Sequence, residues 1–227
     1  MSDDAIRLWD LPTRLFHWLL VIAVSGAVIT VKLGGTWMVW HERFGMMVLG
    51  LVSFRLVWGL AGTRYVRFSQ FLTGPRGIID YLQGRWRGVG HNPLGAWSVM
   101  AMLAVLGFQS VSGLFAFDDI AFGGPLRRAV SSEWSSRITG WHSGGEWLIL
   151  GLIALHLAAV FFYLLVRRDN LITPMISGRK RGAEGDAAGA VRWWALLLAF
   201  VVVGAVLWVA NGGLLPPPAP PPVDLGW

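Results

Sequence analysis

The sequence predicts an all-α membrane protein, a four-helix transmembrane bundle with a fifth transmembrane helix added. Three observations predict it. Hydrophobic residues make up 55% of the 227 residues and charged residues only 14%, where a soluble domain carries about 25% charged. Five apolar segments, 15–33, 40–60, 94–117, 141–166 and 193–211, each have about the length of one bilayer crossing. The basic residues cluster in alternate connections.

Taken in order, residues 1–14 begin acidic, with Asp3 and Asp4, and no small-residue cleavage site follows the first apolar stretch. The first span is therefore expected to be retained and not removed as a signal peptide. A tight turnaround at 34–36 leads to the second span. The connection 61–93 mixes Gly, Pro and Arg with an apolar stretch at 77–82, which suits a short interfacial helix. The connection 118–139 carries Asp118, Asp119, Gly123-Gly124-Pro125 and a serine-rich run, and is expected to be the largest outer feature between spans. After the fourth span, 177–190 is Gly/Ala-rich and charged, a flexible linker by composition. The fifth span, without histidine or internal charge, reads as an added lipid-facing or partner-docking helix. Residues 216–222 hold six prolines and one alanine, an extended stretch of ~20 Å at ~3.1 Å per residue that serves as spacer, docking strand or plain tail. The expected division is a four-helix core at 1–176, a cytoplasmic linker at 177–190, the fifth helix at 191–211 and a proline-rich tail at 212–227. Several of the 14 tryptophans fall near span ends, among them Trp9, Trp18, Trp37, Trp40, Trp134, Trp141, Trp193 and Trp194, as an interfacial aromatic belt requires.

The formal charge of +6 has a distribution that excludes nucleic-acid binding as its purpose. Thirteen Lys/Arg lie on one side, at Arg7 and Arg14, in the connection 61–93 and in the connection after the fourth span. Five lie on the other: Lys32, Arg43, Arg127, Arg128 and Arg137. The positive-inside rule then sets the N-terminus in the cytoplasm and the C-terminus outside. The absence of cysteine excludes thiolate-ligated iron–sulfur clusters, disulfides and covalently attached c-type haem.

Four of the five histidines lie in the apolar segments. His142 and His156 are 14 residues apart on one helix, which separates them by ~21 Å along the axis and only ~40° around it. Polar groups within spans are costly and usually face a functional interior. With the N-terminus inside, His17 and His156 share the cytoplasmic depth and His41 and His142 the outer depth. Zinc or copper would call for four ligands together, or for carboxylate or sulfur partners; two imidazoles per site suit the axial positions of a haem held between facing helices. Arg55, 14 residues after His41, reaches the depth of the cytoplasmic pair. It is either the partner of a haem propionate or a side chain snorkelling to the headgroups. His91, in Gly90-His91-Asn92-Pro93, reads as a surface histidine and not a ligand.

The stretch Trp9-Asp10-Leu11-Pro12-Thr13-Arg14-Leu15-Phe16-His17-Trp18 is similar to the opening motif of the bacterial cytochrome b561 family, which is related to the b-type cytochrome subunits of nickel–iron hydrogenases. His41-Glu42-Arg43-Phe44-Gly45, with Arg55-Leu56-Val57-Trp58-Gly59 and Arg67-Phe68, resembles the second-helix signature of that family. Trp141-His142 and His156 resemble its fourth helix. The match covers about residues 7–170. It implies a four-helix dihaem core with two haem b and His17, His41, His142 and His156 as axial ligands; Arg14 and Arg55 are expected as further cofactor-binding residues. The resemblance also implies a multi-pass protein of the bacterial inner membrane, with its C-terminus in the periplasm.

The expected function is electron transfer across the bilayer between the quinone pool and a periplasmic redox partner, a c-type cytochrome by expectation. Quinone is the exchangeable substrate. Two alternatives stand beside it: a superoxide:ubiquinone oxidoreductase, as some relatives are, and a membrane anchor subunit of a larger oxidoreductase such as a hydrogenase. A transporter or proton pump is disfavoured because the spans lack acidic relays. The remaining expectations are lipid contact, no nucleic acid and compatibility with an oligomer.

Overall fold

The computed structural model of the chain describes residues 5–86, 88, 90–118, 122–181 and 187–216. A short strand, β1 (Ala5–Arg7), precedes the first long helix, α1 (Leu11–Leu33). Asp10 caps α1: its Oδ1 accepts from the backbone N–H of Thr13 at 2.7 Å, and Pro12 occupies the first turn, where a missing N–H is harmless. Gly34, at φ 63°, ends the helix in a conformation that favours glycine. A 3₁₀ turn at Gly35–Trp37 then feeds α2 (Met38–Ala61).

Two short helices follow, α3 (Phe68–Phe71) and α4 (Pro75–Leu82). The second is the helix expected around the apolar stretch 77–82. Asn92 caps α5 (Pro93–Gly113) with its Oδ1 on the N–H of Gly95 at 2.8 Å. The same Asn92 donates from Nδ2 to the hydroxyl of Tyr163 at 2.7 Å, and Tyr81 of α4 also meets that hydroxyl. Ser131 caps α6 (Ser132–Leu165). Helix α7 (Ile172–Ser177), strand β2 (Arg179–Arg181) and helix α8 (Trp193–Ala210) complete the described elements.

Five of these helices, α1, α2, α5, α6 and α8, are long and apolar enough to cross a membrane, and the chain is a multi-pass membrane protein. Helix α2 is the centre of the arrangement, since α1, α5 and α8 all pack on it, and α5 packs on α6. A mid-bundle cluster joins Ala23 and Val24 of α1, Val48 and Val52 of α2, Leu103 and Leu106 of α5, and Ile149 of α6. Large apolar side chains left outside, such as Leu60 and Trp147, face where lipid would be.

The fifth span docks on α2 through its small face. Ala195, Ala199 and Ala210 are buried, while Leu197, Phe200 and Val201 stay exposed. At Gly50 of α2 a Cβ would lie 3.5 Å from both Val203 and Leu207, so the missing side chain brings the two helices into contact. A lipid-facing helix and a packed one are here the same helix.

Several boundaries differ from the expected ones. Span three ends at Gly113, because the chain turns at Leu114 and Phe115. Span four begins at Ser132, nine residues before the expected start at Trp141, since the serine cap and the salt bridge between Arg137 and Glu133 at 2.7 Å support helix in polar sequence. Its 34 residues reach ~50 Å, against a hydrocarbon layer of ~30 Å. The outer connection is correspondingly shorter. The segment read as a flexible linker starts with β2, paired antiparallel to β1 in the register Ala5 with Arg181, Ile6 with Lys180 and Arg7 with Arg179. Farther on, Ala188 is buried and bonds the carbonyl of Arg7 at 2.8 Å. Residues 182–186, within that linker, and the tail from 217 onward lie outside the described residues.

The end of the bundle that carries the N-terminus is built on a buried carboxylate. Asp10, 1% exposed, also accepts from Trp58 Nε1 at 3.1 Å and from Thr63 Oγ1 at 2.6 Å. One side chain thus joins the start of α1 to the end of α2. Asp10→Ala removes the cap and strands two buried donors, and should cost about 3 kcal/mol, read as a lower unfolding midpoint in detergent; Asp10→Asn, which keeps the capping oxygen, should lose less.

Candidate functional site

The four intramembrane histidines lie at two levels of the bundle, and two of them meet. His41 of α2 and His142 of α6 have ring centroids 6.0 Å apart. His156 lies 14 residues farther along α6, and His17 ten residues back along α1 from Ala27, the partner of His41, so both lie toward the other end of the bundle. Helix α6 contributes one histidine to each level, as the 14-residue spacing requires. Among the described residues no three His, Cys, Asp or Glu side chains converge on a point that could hold a metal ion.

Neighbouring helices set the tautomer of the neutral His41 and His142 rings. Nδ1 of His41 lies 2.9 Å from the carbonyl of Ala27 on α1, and Nδ1 of His142 lies 3.0 Å from the carbonyl of Gln109 on α5. A carbonyl can only accept, so each Nδ1 carries the proton and each Nε2 keeps its lone pair. Ser112 Oγ stands 3.1 Å from the same Nδ1 of His142, and Gln109 Nε2 donates back to the His142 carbonyl at 2.6 Å. This is the arrangement by which outer groups orient a metal-ligating imidazole.

The surroundings leave room for a flat group. Gly45, one turn beyond His41, faces open space, with no atom within 4 Å of where a Cβ would stand. Gly113 touches the His142 ring, and a Cβ there would meet Cε1 at 2.9 Å. On α6 only Ser135 and Ile149 are buried, although the helix forms one wall of the bundle. At the other depth, Nδ1 of His17 is buried without a partner. A bound group carrying iron between paired imidazoles fits these features.

Of the two alternatives expected for Arg55, the structure sets aside one. Arg55 does not snorkel. It is 3% exposed, donates from Nη1 to the carbonyl of Val66 at 3.0 Å and lies 4.9 Å over the Phe68 ring. Gly59 admits it, since a Cβ there would come within 2.7 Å of Nη1. The chain between α2 and α3 folds back over the end of the helix, so the guanidinium finds its acceptor in protein and not in headgroups. Arg14 donates to the carbonyl of Ile176 at 2.5 Å, and its guanidinium reaches the turn between α7 and β2.

His91 is also placed otherwise than expected. It is not a surface residue: its ring lies 4.7 Å from Trp9 and 4.8 Å from Phe71, with Nδ1 buried and unpartnered. The cap at Asn92 turns the chain inward there, which a reading of local composition misses. Asp10, Gln109 and Ser112 were not among the expected site residues. Asp10 has a local signal in its cap position before Pro12; Gln109 and Ser112 have none, because they act on a residue of another helix.

A family model described as prokaryotic cytochrome b561 matches residues 8–178, a span that holds all four of these histidines. The chain belongs to that family. This cytochrome b561 is accordingly a membrane b-type cytochrome of electron transfer, and haem b is its cofactor class. It is similar to the probable Ni/Fe-hydrogenase B-type cytochrome subunit of Rhizobium leguminosarum bv. viciae, at 24% identity over 79% of this chain and 90% of the relative. The protein of the same description from Cupriavidus necator is 23% identical over 78% and 87%, and that from Azotobacter vinelandii 22% identical over 78% and 89%. No solved structure matches the chain.

Burial among the aromatic rings, with the nearby Arg55 charge, pushes His91 down from 6.5 to about 3. The unfolded chain takes up that proton near pH 6.5 and the folded chain only near pH 3, so stability from this residue is present above 6.5 and is lost on acidification through that interval. His91→Phe should therefore show a smaller fall in thermal midpoint between pH 7 and pH 4 than the parent protein. An equal fall would mean that the ring protonates freely in the folded state.

Proposed function

We propose that this cytochrome b561 carries electrons across the bilayer between the quinone pool and a redox protein on the outer side, through two haems, one held by His17 and His156 and the other by His41 and His142. The single observation behind this reading is the meeting of the His41 and His142 imidazoles, whose Nδ1–H bonds leave Nε2 of the neutral rings free. When bound, haem b supplies a reversible one-electron couple at iron. The carbonyls of Ala27 and Gln109 would hold the outer rings in orientation and raise their basicity as ligands. Arg55 supplies a buried positive charge on the inner side, which favours a nearby anionic group such as a propionate and a more easily reduced centre. Arg14, drawn to the α7–β2 turn, is left out of the haem assignment.

The orientation belongs to the same proposal: the N-terminus in the cytoplasm and the C-terminus in the periplasm of a bacterial inner membrane, with thirteen Lys/Arg inside against five outside. The first turns of α6, which extend past the membrane thickness, and the outer connection before them would then offer the docking surface for the periplasmic partner.

A second reading has a specific observation in its favour, because the relatives are described as hydrogenase B-type cytochrome subunits. In it the chain is the membrane anchor of a larger oxidoreductase and passes that enzyme's electrons to quinone. Purification from native membranes distinguishes the two: a stable multi-subunit complex favours the anchor, and a lone cytochrome that reduces a soluble c-type cytochrome with quinol favours the shuttle.

Reduced-minus-oxidised spectra of the purified protein should show b-type bands with two haems per chain. Replacing either member of one pair, for example His41→Ala or His142→Ala, should bring that content to one. Loss of both haems from every single replacement in a folded protein would break the two-site assignment.

A further inference from the structure

Strands β1 and β2 place Arg7 directly opposite Arg179. Like charges at facing positions of an antiparallel pair repel, and a ribbon of two three-residue strands has little to offset that. Arg14 closes a third side. Its Nη1 is held by the carbonyl of Ile176, and its Nε is buried without an acceptor. Gly178, at φ 79°, lets the turn approach Arg14 closely: a Cβ there would stand 3.1 Å from Nε and 2.8 Å from the Trp9 carbonyl. The three arginines enclose a cavity of about 240 Å³, whose remaining wall includes Trp9, Leu11 and Val191.

Among the described residues none of the three arginines pairs with a carboxylate. Two carboxylates among the described residues are engaged elsewhere, Asp10 by Thr13, Trp58 and Thr63, and Asp169 by Lys180 at 3.0 Å. A cavity ringed by three guanidiniums that pair with no carboxylate among the described residues, one of them with an orphaned donor, suits an anion with acceptors on several sides. Phosphate has that shape, and arginine forks match its oxygens.

We propose that this cavity binds a phosphate group, carried by an anionic phospholipid or free in solution, and that the bound anion ties the N-terminal strand to the α7–β2 turn. The site is independent of the haem assignment, since none of its residues belongs to either histidine pair. Bound phosphate neutralises the Arg7–Arg179 repulsion and so steadies the strand that leads into Asp10 and α1.

The test uses delipidated full-length holoprotein in neutral detergent, with bound lipid read by native mass spectrometry and stability by thermal unfolding. Phosphatidylglycerol, phosphatidylcholine and inorganic phosphate are the probes. At least ten-fold preferential retention of phosphatidylglycerol over phosphatidylcholine, lost in the Arg7→Gln/Arg179→Gln variant and kept in Arg192→Gln, supports the site with a lipid source. Equal retention of the two lipids, with a rise in unfolding midpoint on adding inorganic phosphate that the double variant lacks, supports it with a free source. The haem spectrum should be unchanged in both variants. Arg179→Glu gives a sign reversal: it replaces repulsion by a cross-strand ion pair, so the midpoint without phosphate should rise and the response to phosphate or phosphatidylglycerol should vanish. No lipid preference together with no phosphate response, undiminished binding in the folded double variant, or an Arg179→Glu midpoint lowered equally with and without the probes would each overturn the proposal.

Discussion

Two backbone carbonyls, those of Ala27 and Gln109, govern what the outer histidines can do. In hydrocarbon an imidazole N–H without an acceptor is expensive, so each ring must deliver its proton to a neighbouring helix. His41 delivers it to α1 and His142 to α5. The consequence is chemical as well as structural. The tautomer is set, Nε2 is left as a lone pair, and the two lone-pair-bearing rings stand with centroids 6.0 Å apart. The same bonds cross-link α1 to α2 and α5 to α6, so the packing of the bundle and the state of the site are one constraint.

The opposite end of the bundle solves a different problem. Chain segments far apart in sequence must close over the ends of α1 and α2 without leaving buried polar groups unsatisfied. Asp10 does this by capping α1 while accepting from Trp58 and Thr63. Arg55 does it by reaching back to Val66 beneath the Phe68 ring. Both residues lie in the motifs that carry the family resemblance, and their role here is to close the end of the bundle where α1 starts and α2 finishes. Helix α8, beyond the residues the family model matches, packs on the far side of α2 and contributes to the same end through Ala195 and Ala199.

Much of this was legible along the chain. The spans follow from apolar length, since a bilayer demands about 20 such residues, and four of the five helices begin within about four residues of the expected position. The meeting of His142 with His41 follows from helical rise and alternating direction. The exceptions have local causes. The early start of α6 at Ser132 was hidden because its first turns are polar and outside the apolar segment, where hydropathy says nothing. Strand β2 was hidden because three basic residues read as linker, and only the presence of β1 as a partner makes them a strand.

Helical periodicity and the cost of polar groups in lipid are properties of each segment alone, and they are enough to establish five spans with four histidines at two depths. Nothing in a segment alone tells which neighbour will accept a proton or fill a cavity. Packing decided that His91 lies between Trp9 and Phe71, that Arg55 bonds Val66 and not a headgroup, and that Gln109 and Ser112 serve His142. Each of these joins residues on different elements, and such contacts exist only after the helices have met.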